Sequence, residues 1–288
     1  SVPVVITGLN LSTTPWDVEF FARTCANRTV DVVARNLSST RWGGLTHAAT
    51  VTVREFVDTY RTNASRAGWY VHDWSLPRSC PEVFGEPPFR EWSVPKYFAG
   101  DYFQRVAFNS YQHAWPSLFI GANGTESALH IDSGGTNFWL HLLSGKKEWR
   151  FYPRRDLVFL YPQMLSSHFE VDVFRSSELE HPLFKYAEEY HAIQEPGDLI
   201  FIPGGNPHAV RNLEDIHGMS MNFVDPSNYW LYLLTQVQGE SYRAFELFTT
   251  EEFRQGLKTT QETVTLGQWK STDWHQETLD LACPTCPD

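Results

Sequence analysis

The chain has 288 residues, a formal charge of −11 at pH 7 and an aromatic content of 15%. Such a length holds one large domain or two small ones and buries an ample core. The acidic balance argues against direct nucleic-acid binding, which needs a basic face for the phosphates, and it is compatible with a basic peptide or protein substrate. No apolar run reaches the ~20 residues needed to span a bilayer, residues 229–237 being the longest tempting one.

Neither an initiator Met nor a signal-peptide pattern stands at Ser1, so the chain reads as a trimmed or processed product. Val4-Val5-Ile6 followed by Thr7-Gly8 predicts a short buried strand ending in a turn. Residues 14–21 predict a capped helix with Pro15 at its first position. Strands follow at 30–34 and 47–51, and Thr52-Val53-Arg54-Glu55 is a capping-box signature opening a helix to about residue 64. Residues 68–74 read as a further strand, and the proline-rich stretch 77–95 as a surface loop.

The next strand is 117–120, with a turn at 121–124 before a strand that carries His130 and Asp132. The run 138–143, the turn Ser144-Gly145 and the run 146–152 read as a hairpin. Residues 153–189 form a long irregular insertion of the size that lids and substrate loops have. Pro196-Gly197-Asp198 turns into a buried strand at 199–202, and a second turn presents His208 at the start of a strand over 209–212. The strand 219–223 closes the sheet with Ser220 and Asn222 on one face. Strands at about ten-residue intervals indicate an antiparallel sandwich or barrel. Beyond Ser227 the period turns helical at 228–238 and 250–257, the latter with Thr250 as N-cap and Glu251-Glu252 in its first turn. This divides the chain into a β-rich domain over 1–226 and a helical extension and tail over 227–288, whose helices suit packing or a homodimer contact.

His130 and Asp132 lie two apart, so on an extended segment both side chains share a face. One neutral imidazole and one carboxylate are two-thirds of the facial triad that non-haem Fe(II) favours, and His208 is the best third ligand. Taken alone, the pair reads more readily as a packed histidine beside a surface aspartate. Lys147 changes the balance, because a lysine among Phe138, Leu140, Trp149 and Phe151 is costly without an anion. Its natural partner is the carboxylate of a small acid beside the metal. The remaining histidines read as structural or surface residues, with His168 and His181 in the insertion within reach of a substrate. Trp139 and Trp149 read as core.

Sequons begin at Asn10, Asn27, Asn36, Asn63 and Asn123, five of the eleven asparagines. They point to the secretory pathway or endoplasmic-reticulum lumen, a nuclear or cytoplasmic protein with unused sequons being the alternative. Cys25 and Cys80 pair if the compartment is oxidising. Cys283-Pro284-Thr285-Cys286 has metal or redox spacing but supplies only two ligands, so a tail disulfide or two free thiols is the better reading.

With His130-Ile131-Asp132, Lys147, Pro196-Gly197-Asp198 and His208 in this order, the sequence resembles the JmjC domain of cupin-fold Fe(II)- and 2-oxoglutarate-dependent oxygenases. The likeness runs from Pro3 to Pro226. Within the family it looks closest to the small JmjC-only protein hydroxylases of the phosphatidylserine-receptor type, through residues 94–98, 101–104, Gly135-Thr136 and 145–149. The resemblance implies a mainly β fold, a double-stranded β-helix (jelly-roll) core with N-terminal α/β elements and C-terminal helices. It also implies that His130, Asp132 and His208 bind Fe(II), and that Lys147 pairs with the distal carboxylate of 2-oxoglutarate. Ser127 stands where relatives often place a threonine on that carboxylate, and Asn222 and Ser220 would complete the co-substrate site. The implied activity is O₂-dependent hydroxylation of a lysyl or similar protein side chain, with 2-oxoglutarate decarboxylated to succinate and CO₂. An N-methyl-lysine or N-methyl-arginine demethylase would use the same centre, and a cupin-fold interaction module without catalysis is the alternative of another class. Leu140 stands where the nearest relatives have asparagine, and Pro207 before His208 resembles the demethylase branch. Substrate selection is expected from residues 111–115, the 153–189 insertion and the loop 133–137.

Overall fold

A computed structural model describes residues 2–237 except 13, 40–41, 61, 64–67, 87–90, 106–110, 112, 164–167 and 177, together with residues 263–266. The helix expected at 250–257 and the Cys283–Cys286 tail lie outside the described residues, as does most of the C-terminal extension. Among the described residues no helix is long and apolar enough to cross a membrane.

Two antiparallel sheets face each other. The larger has eight strands: β1 (Val4–Ile6), β2 (Thr29–Arg35), β3 (Leu45–Thr52), β4 (Tyr70–Ser75), β6 (Ser117–Gly121), β8 (Asn137–Ser144), β11 (Leu199–Ile202) and β13 (Ile216–Phe223), in the spatial order β1-β11-β8-β13-β6-β4-β2-β3. The smaller holds β7 (Glu126–His130), β9 (Lys147–Phe151), β10 (Tyr190–Gln194) and β12 (His208–Asn212), in the order β10-β9-β12-β7. A third, two-stranded sheet pairs β5 (Ser93–Pro95) with β14 (Thr263–Thr265). The antiparallel double sheet expected from the strand spacing is thus present, with the N-terminal strands joined to its larger half.

Alternation along the strands sorts side chains into layers. Between the sheets lie Phe138, Leu140 and Leu142 of β8, Trp149 and Phe151 of β9, Ile200 and Ile202 of β11 and Val210 of β12. The intervening Trp139 faces the other way, fully buried among Trp92, Phe98 and the helices behind the large sheet. Those helices are α1 (Val18–Thr24), α2 (Val53–Thr59) and α3 (Leu76–Ser79). Thr52 caps α2 as expected, its hydroxyl accepting from Glu55 N at 3.1 Å. α1 begins later than expected, because Asp17 accepts from Phe20 N and caps it in place of Thr14. Cys25 and Cys80 are bonded as a disulfide that ties the end of α1 to the end of α3.

Three expectations are corrected. Val4-Val5-Ile6 does form a strand, but as the open edge of the large sheet, with Val4 and Val5 exposed. The stretch 77–95 is not all loop, since it carries α3 and β5. Most consequential, the runs on either side of Ser144-Gly145 are not hairpin partners. β8 pairs with β11 and β13 in the large sheet, and β9 pairs with β10 and β12 in the small one. Gly145 has φ +76, and a Cβ there would lie 2.1 Å from the Asp215 carbonyl oxygen, so a glycine lets the chain turn tightly from one sheet to the other.

The insertion packs on the outer face of the small sheet. Leu160, Phe169, Val171 and Val173 cover Leu129, Tyr152 and Ala209, and Arg175 makes two hydrogen bonds of 2.7 and 2.8 Å to Glu126 of β7. Past β13, the helix α4 (Tyr229–Val237) lies against the loop at residues 133–135 through Tyr232 and Thr235.

Candidate active site

His208 opens β12 directly opposite His130 at the end of β7, an in-register antiparallel pair that brings their ring centroids to 4.2 Å. Asp132 follows two residues on. Its Oδ1 lies 3.8 Å from His130 Nε2 and 3.9 Å from His208 Nε2, and among the described residues these three donors form a group able to hold one metal ion. The neighbouring contacts orient each donor. His130 Nδ1 lies 2.6 Å from the Ala128 carbonyl and His208 Nδ1 lies 3.0 Å from the Asn206 carbonyl. A carbonyl only accepts, so each Nδ1 carries the proton and each Nε2 presents a lone pair. Asn222 Nδ2 donates to Asp132 Oδ2 at 3.1 Å, leaving Oδ1 on the imidazole side. Trp42 stacks edge-on against His130 at 4.2 Å.

Burial suits this set to a cation. It pushes the His130 imidazole well below its ordinary pKa, with His208 adding to the effect, and so favours the neutral ligand form. It also raises the Asp132 carboxyl, against opposing pulls from His208 and Asn222. Two neutral nitrogens and one carboxylate oxygen are a donor set that divalent iron accepts, with positions left for other ligands.

Lys147 begins β9 and pairs in register with Asn212 at the far end of β12. Its partner position is therefore four residues, about 13 Å, along the strand from His208. The ammonium is buried, donating to Tyr70 Oη at 3.1 Å and to Asn212 Oδ1 at 2.9 Å. Among the described residues no carboxylate is placed to pair with it. Burial accordingly lowers its pKa to about 7. Ser127 is also buried, its hydroxyl without a hydrogen-bond partner. A free dicarboxylate would answer the first, as an anion for Lys147. The residues present fit 2-oxoglutarate by that measure.

Metal donors and lysine open onto one cavity of about 490 Å³. His130, Asp132, His208, Lys147 and Asn222 all line it, whereas Ser127 and Ser220 are not in its wall. Ser220 pairs in register with Leu140 and Ser117, its hydroxyl buried and unpaired. Residues 111, 115, 133, 134 and 136 reach the cavity as the sequence indicated. No described residue of the insertion lines it; the described part covers the small sheet, with His168 bridged to His130.

β4 contributes what sequence reasoning missed. Tyr70, His72 and Asp73 line the cavity, yet this strand was given no site role, and His72 fell among the histidines read as structural. Burial and the nearby Lys147 lower His72 to about 3, so it stays neutral. Asp73 has φ +55, a rare conformation for a residue with a side chain, and its carboxylate is exposed at the cavity. The available signal was the adjacent polar pair His72-Asp73 between Val71 and Trp74.

Comparison with known proteins agrees with this geometry. The family profile of the cupin-like domain matches residues 1–230. The chain belongs to that family. Among similar proteins, this cupin-like JmjC domain is 26% identical over 201 residues to the arginine-specific demethylase JMJ20 of Arabidopsis thaliana, covering 63% of this chain and 42% of that protein. It is 27% identical over 193 residues to the 2-oxoglutarate and iron-dependent oxygenase JMJD4 of Mus musculus, covering 64% and 44%. With lysine-specific demethylase 8 of Danio rerio the match is 28% over 225 residues, covering 74% and 50%. The cupin-like chain thus spans half or less of the length of these relatives.

Proposed function

We propose that this cupin-like domain is an Fe(II)- and 2-oxoglutarate-dependent oxygenase that hydroxylates a lysyl or similar side chain of a protein. One observation carries the reading: a single cavity holds a two-histidine, one-carboxylate set and, further in, a buried ammonium with no carboxylate partner among the described residues. Iron(II) on His130, Asp132 and His208, with 2-oxoglutarate and O₂, would supply oxidation of an unactivated C–H bond, releasing succinate and CO₂. The chain's own residues bind, orient and exclude water. Lys147 would take the far carboxylate, Asn222 fixes the face that Asp132 turns to the metal, and the apolar wall of Phe138, Leu140 and Trp149 keeps solvent from the inner end.

Support for a cationic substrate side chain comes from the outer wall. Phe103 lies 4.7 Å from Tyr111, 5.9 Å from Trp115 and 5.3 Å from Tyr232, ring centre to ring centre, and all four rings line the cavity together with Asp73. Rings with a carboxylate among them suit a long side chain that ends in a positive charge. The same rings favour a second reading, in which an N-methylated lysine or arginine is bound and oxidation of its methyl carbon releases formaldehyde.

The test incubates the protein with Fe(II), ascorbate, 2-oxoglutarate and lysine- and arginine-containing peptides, with and without N-methylation. A peptide that gains one oxygen's mass supports hydroxylation, and formaldehyde from a methylated peptide supports demethylation. Succinate formation no greater than in a metal-chelated control, with every peptide, would remove the enzyme reading.

A further inference from the structure

The asparagines of this chain fall into two structural groups. Asn10, Asn27, Asn36, Asn63 and Asn123 open the five sequons, and all five are exposed and lie in turns or connections outside strands and helices. The described asparagines outside sequons behave oppositely. Asn137, Asn206, Asn212 and Asn228 are buried and Asn222 is half-buried. Four of these amides are committed inside the fold, for example Asn137 to Asp225, Asn212 to Thr125 and Asn228 to the Gly135 carbonyl. An oligosaccharide is bulky and hydrophilic, so an asparagine that carries one must face solvent in the folded protein. The sequence motif and the exposure coincide at every sequon.

A separate observation points the same way. Cys25 and Cys80 are fully buried and joined as a disulfide across 55 residues, fastening α1 to α3. Such bonds form and persist in oxidising compartments and are rare in the cytosol and nucleus.

We propose that the chain is N-glycosylated at three or more of these five asparagines and works in the oxidising lumen of the secretory pathway, on polypeptides passing through that compartment. At each site the Asn Nδ2 forms a bond to C1 of an oligosaccharide as the bond from C1 to its lipid-diphosphate carrier breaks. The amide gives up one proton and the lipid diphosphate leaves. Closure of Cys25–Cys80 removes two electrons and two protons from the thiols, taken up by a protein disulfide that is reduced to a dithiol. Glycans at these positions leave the cavity clear, since none of the five asparagines lines it. Asn123 sits in the turn before β7, at the opposite end of that strand from His130 and separated by roughly 13 Å of extended chain.

The test uses the protein isolated from the cells that make it and requires no catalytic activity. Glycans are removed by peptide N-glycosidase in ¹⁸O-water, which converts each formerly modified asparagine to labelled aspartate, and thiols are alkylated before and after reduction. The expected result is label at three or more of the five sequon asparagines, none at Asn137, Asn212 or Asn228, and alkylation of Cys25 and Cys80 only after reduction. A Ser38→Ala variant loses the label at Asn36 alone. Label at fewer than three sequons, or Cys25 and Cys80 alkylated without reductant, overturns the proposal.

Discussion

Replacing Lys147 with methionine separates what this residue costs the fold from what it does for a ligand. Burial moves the ammonium from 10.5 to about 7, which corresponds to roughly 5 kcal/mol against the charged form. Folded pKa lies below unfolded pKa, so between pH 7 and 10.5 the unfolded chain binds more protons and stability rises with pH; below about 7 the whole penalty is present. Methionine keeps the length and drops the charge. It also strands Tyr70 Oη and Asn212 Oδ1, the two acceptors at 3.1 and 2.9 Å, at about 1 kcal/mol or more each. Ligand-free Lys147→Met is therefore expected to be more stable than the parent at acidic pH, by about 1–3 kcal/mol after these opposing effects. Its 2-oxoglutarate affinity should fall by about a hundredfold or more, the usual result of removing one partner of a buried charge pair. Anaerobic calorimetric titration of the metal-loaded protein with 2-oxoglutarate measures the second effect, and metal titration of the same sample is the control. Unchanged 2-oxoglutarate affinity, or an equal loss of metal affinity, would refute the assignment of Lys147 to the co-substrate.

Four further outcomes follow from the same geometry. His130→Ala or Asp132→Ala should abolish succinate formation while circular dichroism and the melting transition stay close to the parent's, and turnover by either variant counts against the metal set. Asn222→Ala frees Asp132 Oδ2 and should weaken metal binding about 10–100-fold, with 2-oxoglutarate affinity at saturating metal largely kept. Affinity for 2-oxoglutarate should decline above pH 7, up to tenfold per pH unit, because the ligand needs the protonated Lys147 whose pKa in the free protein is about 7; a flat profile from pH 6.5 to 9 contradicts this. Replacing Cys25 and Cys80 together with alanine should destabilise the fold by about 2–4 kcal/mol in denaturant titrations and remove the loss of that stability on adding reductant.

The faces of the strands were legible from sequence, and the strand partners were not. Phe138, Leu140 and Leu142 alternate cleanly against Trp139 and His141, and the structure buries the first set between the sheets and Trp139 behind them. Nothing in that alternation says which strand lies alongside. A run, a Gly-containing turn and another run are the pattern of a hairpin, yet here the chain changes sheet at Gly145. Lys147 consequently reaches the ligand region through β12, which lies between β9 and β7, and not by folding back along β8. β4 was hidden for a related reason: its residues enter the cavity because the N-terminal strands extend the large sheet beside β6, a long-range pairing with no local trace.

Ser127 shows how an irregularity sets the site. It lies three residues before His130, so strict alternation would place the two side chains on opposite faces of β7. The observed pairing steps from His208↔His130 to Val210↔Ser127, one residue more on β7 than on β12. That is a bulge, and it returns Ser127 to the inward face shared with Val210. Glu126 is thereby turned outward to Arg175 and the insertion. One extra residue thus directs the His130 ligand and the Ser127 hydroxyl to the same interior while the neighbouring carboxylate anchors the outer layer. A deletion that removed the bulge would move Ser127 and Glu126 to opposite faces together, taking the hydroxyl off the inner face and parting Glu126 from Arg175. The metal pair His130 and His208, beyond the irregularity, would keep its register.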